Sequence, residues 1–329
     1  MKNATLRQLK VFEAVARRLS FSRAAEELHL TQPAVSAQVK QLEEHAGLPL
    51  FEQLGKKVYL TPAGREMLHY SRAIIQQFHD AEAAMAGLKG VAGGTLNIAV
   101  ISAGDYFFPR LLAAFLRRQP DVVLNLQVHN REALLRELIE NRTDLAVMVR
   151  PPVDLDTVNE TFAPHPYVIV APPDHPLARR RRIPLSTILH EPFIVREQGS
   201  DTWISMSEAF RAHLRELNVA MELRSAETIK QAVIAGMGLT FLSAHTISLE
   251  LAMGNLVVLD VQGFPLMLNW YLVHRRNKRL PPVAQVFREF LMRDGAALIK
   301  AITGIDPVRT RAPAAPGGSP RKPVKRRRA

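Results

Sequence analysis

The chain has 329 residues, 47% of them hydrophobic, which is enough for two or three domains with a substantial core. Cysteine is absent, excluding disulfides, thiolate catalysis, thiol redox sensing and cysteine-ligated metal. Of the net charge of +12, residues 305–329 supply +7, so the basicity lies mostly in one terminal stretch and is by itself a poor argument for nucleic-acid binding.

From the N-terminus, Leu6, Leu9, Val11, Phe12, Val15, Ala16 and Leu19 form a helical apolar stripe. Arg7, Lys10, Glu13, Arg17 and Arg18 interrupt it, so it does not read as a signal peptide. No apolar run approaches the roughly 20 residues that span a bilayer, and a cytoplasmic protein with no membrane partner is expected. Ser22-Arg23-Ala24-Ala25 starts a second helix, whose small alanines permit close packing. Thr31 is a good N-cap and Pro33 suits a first helical turn, so a third helix is expected from there to about Gly47. On it Val35, Val39 and Leu42 face a core, while Gln32, Ser36 and Lys40 share the opposite side. That outer face suits a DNA major groove, where Gln pairs with adenine edges, Ser with base edge or phosphate, and Lys with phosphate or guanine. Leu50 and Phe51 continue the core, and Leu54 to Leu60 reads as a hairpin wing tipped by Gly55-Lys56-Lys57. Three helices and a wing in this order make a winged helix-turn-helix. Any one such feature alone is an ordinary solvated surface; the ordered run is what points to DNA.

A long helix is expected from Arg65 to about Leu88, with Met67, Tyr70, Ile74, Phe78, Ala81, Met85 and Leu88 on a heptad seam. Such a narrow seam packs either on its own domain or on another helix. Gly90, Gly93 and Gly94 then make a hinge. Beyond it strands alternate with helices: strands at 95–101, 122–128, 145–149, 168–171, 193–195, 221–223, 239–242 and 268–274, and helices at 107–118, 131–141, 187–189, 205–217, 228–235 and 282–292. This is a parallel α/β pattern. Residues 305–329, rich in Pro, Ala, Gly and Arg, read as a disordered tail, either a solvated extension or an auxiliary arm for nonspecific DNA binding.

Three places in the α/β part are candidates for a small-molecule site. Ser102 and Ala103 lie between a strand and a helix, where backbone N–H groups and a hydroxyl suit an anion. Residues 196–203, with Gln198, Ser200 and Thr202, follow a strand and lead into a helix. Arg150 ends another strand, and Gly236 and Gly238 permit close backbone approach. Each has a plainer alternative: Ser102 and Thr202 as helix caps, the glycines as turns, Arg150 as a solvated side chain. Histidines are scattered, and no His-x-x-x-His pair, nucleophile elbow or P-loop occurs, so neither catalysis nor a metal site is expected; Asp174-His175 is a pair only superficially.

Residues 6–64, LRQLKVFEAVARRLSFSRAAEELHLTQPAVSAQVKQLEEHAGLPLFEQLGKKVYLTPAG, resemble the winged helix-turn-helix of LysR-type transcriptional regulators, and the likeness extends over roughly residues 4–300. Within that family the chain is similar to regulators of Calvin–Benson carbon-fixation operons. The resemblance implies a DNA-binding domain at 1–64, a dimerisation helix at 65–89, a hinge at 90–94, an effector domain at 95–303 and a tail at 304–329. It also implies that the effector domain has two subdomains as in periplasmic binding proteins, about 95–166 with 270–303, and about 167–269. Two crossing strands near Tyr167 and Trp270 would join them, with a ligand cleft between.

The expected partners are a double-stranded operator, a second copy in a dimer or tetramer paired through Tyr70, Ile74, Phe78 and Met85, and RNA polymerase. Gln32, Pro33, Ser36 and Lys40 are expected at or near bases, with Arg23, Thr31, Lys56 and Lys57 on phosphates. Carboxylate or phosphate binding is implied near Ser102. Relatives carry Gly-Ser-Gly-Thr-Arg where this chain has Asp201 and Trp203, which removes a cation and adds a carboxylate. No cofactor is expected beyond an effector, for which the resemblance implies a phosphorylated metabolite such as ribulose bisphosphate or phosphoenolpyruvate, or NADPH. The alternatives are a LysR-type regulator of another metabolic operon and a small-molecule binding protein without DNA function.

Overall fold

The computed structural model describes residues 3–55, 57–88 and 93–306, so Lys56, hinge residues 90–92 and the tail from 307 lie outside the description. Three helices open the chain: α1 (Leu6–Arg18), α2 (Phe21–Glu27) and α3 (Gln32–Ala46). A capping box between Thr5 and Gln8 starts α1, and Ser20 caps α2, which begins at Phe21, one residue before the expected Ser22. Apolar faces of all three meet over Val11, Val15, Ala24, Ala25, Val35 and Val39. Strands β1 (Phe51–Leu54) and β2 (Lys57–Leu60) form the wing, in register from Phe51↔Leu60 to Leu54↔Lys57. The hairpin is thus three residues longer at its start than the 54–60 expected, and Lys57 pairs in a strand instead of standing in the tip. The reason is Phe51, which packs on Phe12 and Phe21 and anchors β1.

Helix α4 (Pro62–Leu88) begins three residues before the expected Arg65, because Thr61 caps it by accepting from Gly64 N at 2.9 Å. After it come β3 (Gly94–Ile101), α5 (Phe108–Leu116), β4 (Val122–His129), α6 (Arg131–Ile139), β5 (Leu145–Met148), β6 (Thr157–Ala171), α7 (Leu185–Leu189), β7 (Phe193–Arg196) and α8 (Asp201–Ala209). The chain ends with β8 (Val219–Leu223), α9 (Ala226–Ile234), β9 (Leu239–Ser243), α10 (Ser248–Met253), β10 (Val257–Val258), β11 (Leu266–Arg275) and α11 (Pro282–Thr303). Two compact units result, the first from Met1–His165, Gln198–Ser205 and Leu268–Gly304, the second from Pro166–Glu197, Met206–Met267 and, at the C-terminal end, Ile305.

In the first unit β3 lies between β4 and β5, parallel to both, and β11 runs antiparallel to β5. Helix α11 packs on α5 through rings: Phe287 lies 4.9 Å from Phe115 and Phe290 5.4 Å from Phe115. In the second unit β7 is parallel to β8 and β9, with β6 antiparallel to β9 and β10 to β6. Its core includes Val168, Val170, Ile194, Ile229, Val233 and Leu242. Three expectations change here. Residues 198–205, expected with the second subdomain, group with the first unit. Helix α8 starts at Asp201 and stops at Ala209, four residues early at one end and eight at the other. Ile305, expected in the tail, is buried among the core residues of the second unit.

Candidate nucleic-acid interface and effector site

Helix α3 is built to present one face. Thr31 Oγ1 accepts from Ala34 N at 3.4 Å, Pro33 occupies the first turn, and Gly47 closes the C-terminus in the left-handed conformation. Val35, Val39 and Leu42 are fully buried beneath it. Gln32, Pro33 and Lys40 stand exposed and Ser36 half-buried on the far side, with Gln32 Nε2 donating to Ser36 Oγ at 3.2 Å. This bond orients the amide while leaving its oxygen and second N–H for a base edge. Thr31 uses its oxygen as acceptor for the cap, so its O–H remains able to donate to a phosphate. Arg23 on α2 and Lys57 on β2 are exposed flanking cations; Lys56 lies outside the described residues.

Sequence reading missed the device that ties the wing to this helix. Glu43, on α3, accepts from Leu50 N at 2.8 Å and Phe51 N at 3.2 Å, fixing where the wing leaves. On the other strand's exit, Thr61 Oγ1 donates to Pro49 O at 2.7 Å. Nothing in the helical period distinguished Glu43 from neighbouring Glu44.

The second cluster lies at the C-terminal ends of three parallel strands. Because Ile101 pairs with His129 and Val100 with Val147, the residues that follow, Ser102-Ala103, Asn130-Arg131 and Val149-Arg150, emerge side by side. Such an edge is the usual ligand position on a parallel sheet. Ser102 and Ala103 open a single 3₁₀ turn and are half-exposed. Arg150 Nε donates to Ser205 Oγ at 3.3 Å. Helix α8 is capped by Ser200, whose Oγ accepts from Trp203 N at 3.1 Å, and Ser200, Asp201 and Thr202 are buried while Gln198 is exposed. Gly236, at φ 78° in the turn after α9, belongs to the second unit.

Arg131 is the residue that sequence reading did not single out. Its Nη1 donates to Asp201 Oδ1 at 3.0 Å and to Arg150 O at 2.5 Å. The carboxylate that Asp201 adds in the Gly-Ser-Gly-Thr-Arg stretch is thus paired with a guanidinium from α6. The cluster holds two guanidiniums, one carboxylate and several hydroxyls, an arrangement suited to a small anion. Among the described residues, no group of His, Asp and Glu is placed to hold a metal, and no helix is long and apolar enough to cross a membrane.

A winged helix-turn-helix, a long linker helix and a two-part α/β domain of the periplasmic-binding-protein type define a class of ligand-responsive DNA-binding proteins. Residues 6–65 match the bacterial regulatory helix-turn-helix protein family, lysR family, and residues 89–296 match the LysR substrate binding domain. The chain belongs to the LysR family of transcriptional regulators; it is a DNA-binding regulator with a small-molecule domain, not an enzyme. It is 50% identical over 296 residues to a RuBisCO operon transcriptional regulator of Allochromatium vinosum, covering 90% of this chain and 98% of that one. With the transcriptional activator CmpR of Synechocystis it shares 44% over 291 residues, 88% of this chain and 96% of the other. Among solved structures, the regulatory domain of Synechocystis CcmR in complex with 2-PG aligns with a TM-score of 0.58 at 38% identity, over 61% of this chain and 96% of that one. Full-length CbnR complexed with its target DNA has the same fold, with a TM-score of 0.64 at 21% identity over 88% of this chain and 99% of that one.

Proposed function

We propose that this protein controls carbon-fixation genes, binding an interrupted, two-fold operator as a dimer or tetramer in the cytoplasm and answering to a small anionic metabolite. The observation that carries the reading is near full-length similarity at 50% identity to a RuBisCO operon regulator, on a chain whose α3 presents Gln32, Ser36 and Lys40 outward. In this reading residues 1–64 bind DNA, 65–89 pair two copies and 95–303 hold the effector. Gln32, Pro33, Ser36 and Lys40 meet bases, and Arg23, Thr31, Lys56 and Lys57 hold phosphates. Effector binding falls to Ser102, Ala103, Arg150, Gln198, Ser200, Thr202 and Gly236, with Arg131 added to that set. The relative solved with 2-PG supports a small acid as the ligand class.

Pairing of copies is supported by the α4 seam, where Tyr70, Ile74, Phe78 and Met85 are all exposed. Beside it runs a groove of about 810 Å³ lined in part by Tyr70, Ala73, Met85, Ile139, Leu280 and Pro282. Met67, by contrast, packs into the core of the DNA-binding helices and leaves the seam.

The experiment is binding of purified protein to the DNA upstream of its own gene, with and without 2-PG, ribulose bisphosphate, phosphoenolpyruvate and NADPH. The expected outcome is tight binding whose affinity or bend angle shifts with one of them. Tight binding with no response discards these effectors; absence of sequence-specific binding discards the operator.

A further inference from the structure

One guanidinium connects the DNA-reading helices to the element that carries the candidate effector site. Arg72, on α4 and only 12% exposed, donates from Nε to Glu13 Oε1 on α1 at 3.4 Å and from Nη1 to Glu140 Oε2 at 2.5 Å. Glu140 is the C-cap residue of α6, directly after its last residue Ile139. It is held there by Arg142 Nη2 at 2.9 Å, which also reaches Glu137 at 2.8 Å. On the other side Glu13 pairs with Arg17 at 3.4 Å, and Arg17 and Arg18 both pair with Glu27 at the end of α2. Half-buried, charge-assisted bonds of this kind are directional and less screened than surface pairs.

The opposite end of α6 is Arg131, the residue that grips Asp201 and the Arg150 carbonyl. Helix α6 has nine residues, roughly 14 Å at 1.5 Å per residue, and it is fixed along its length by buried Leu134 and Leu138. An anion arriving at the strand ends competes with Asp201 for Arg131. A short packed helix does not compress, so a shift at its first residue is a shift at its last, where Arg72 is held.

We propose that Arg72 is a positioning residue for DNA reading, through which occupancy at the Arg131 end of α6 sets the placement of α1 and hence of α3. The proposal rests on the reading of the strand ends as the effector site. Its physical content is a coupling free energy between the two ends, which distinguishes it from mere adjacency.

A double-mutant cycle tests it without any ligand. Operator affinity and bend angle are measured for the full chain, Arg131→Gln, Arg72→Gln and the double variant on the DNA upstream of its own gene. Residues this far apart with no shared partner change affinity independently, within about twofold. The relay predicts a departure of about fivefold or more from the product of the single effects. A product within twofold overturns it, and a purely structural Arg72 gives that result, with a lower melting temperature and no dependence on Arg131. If Arg72→Gln does not fold, Glu140→Ala removes the same bond from its other end and takes its place in the cycle.

A second arm uses 2-PG. Wild-type operator affinity should change on its addition, and Arg72→Gln should lose that change while still binding 2-PG in calorimetry off DNA. A response retained in the variant overturns the relay. Failure of the wild type to bind 2-PG counts against the effector reading and leaves the ligand-free cycle to decide the relay.

Discussion

Gln32 and Lys57 are both exposed, and in the proposed reading they do different work. The Gln32 amide is oriented by Ser36 and has a donor and an acceptor left to match an adenine edge, whereas Lys57 is a point charge on a strand. Gln32→Ala should therefore cost about 1–3 kcal/mol at one base pair and relax preference there. Lys57→Ala should weaken all sequences alike and lower the salt slope by about 1. Titration against single-base operator variants separates the two, and a uniform loss in Gln32→Ala would remove that residue from the reading set. In the second unit, burial pushes the His245 imidazole down from 6.5 to about 4. The unfolded chain takes its proton near 6.5 and the folded chain resists until about 4, so this residue's contribution is fully present above 6.5. It is lost as pH falls toward 4, on the order of 3 kcal/mol in all. Urea unfolding between pH 4 and 7 should show stability falling less steeply in His245→Gln than in the wild type; parallel slopes would contradict the assignment.

Among the elements, the start of α4 shows most directly what packing adds to pattern. Gly64 lies in the first turn of α4, packed so closely on Leu50 and β2 that a Cβ there would come within 2.0 Å of Leu50 O and 2.9 Å of Leu60 Cδ2. Gly64→Ala forces the helix off the wing and should destabilise the DNA-binding helices by about 3 kcal/mol, read as a lowered unfolding midpoint with loss of operator binding. An unshifted midpoint would mean that the wing gives way freely. The same logic explains why α3 was legible and α11 only in part. In α3 the cap, the proline and the closing glycine are local, and the apolar period agrees with them. In α11 Arg293-Asp294-Gly295 reads as an end, but the helix continues to Thr303 because Gly295 lets Phe162 approach, 2.9 Å from where a Cβ would stand. Strand β6 was seen only from Val168, since Pro164 and Pro166 demote a strand by pattern, although the strand runs from Thr157 to Ala171. Of the effector candidates, Ser102 and Arg150 were legible as strand ends. Arg131 was not, because its partner Asp201 lies 70 residues on and only the fold brings them together.

At the scale of the whole molecule, charge explains less than shape. The eight Lys and Arg of residues 307–329 lie outside the described residues, and among the described ones an exposed apolar stripe stands out: Tyr70, Ile74, Phe78 and Met85 are 60%, 44%, 47% and 55% exposed along α4. Leaving half of each such side chain in water forgoes on the order of 1 kcal/mol apiece, which a second α4 laid along the seam recovers. A two-fold pair would also give the two copies of α3 a fixed spacing, so each half-site binds with the other's help. In the proposed pair, Ile74→Glu with Phe78→Glu would place four carboxylates in the closed seam, each costly to desolvate without a partner. Sedimentation equilibrium should then show at least a hundredfold weaker self-association. Affinity for a complete two-half-site operator should fall toward that for one half-site, while binding to the isolated half-site stays as it was. An intact dimer in the double variant would move the interface off this seam, and loss of half-site binding as well would mean that the substitutions had disturbed the DNA-binding helices packed at the other end of α4.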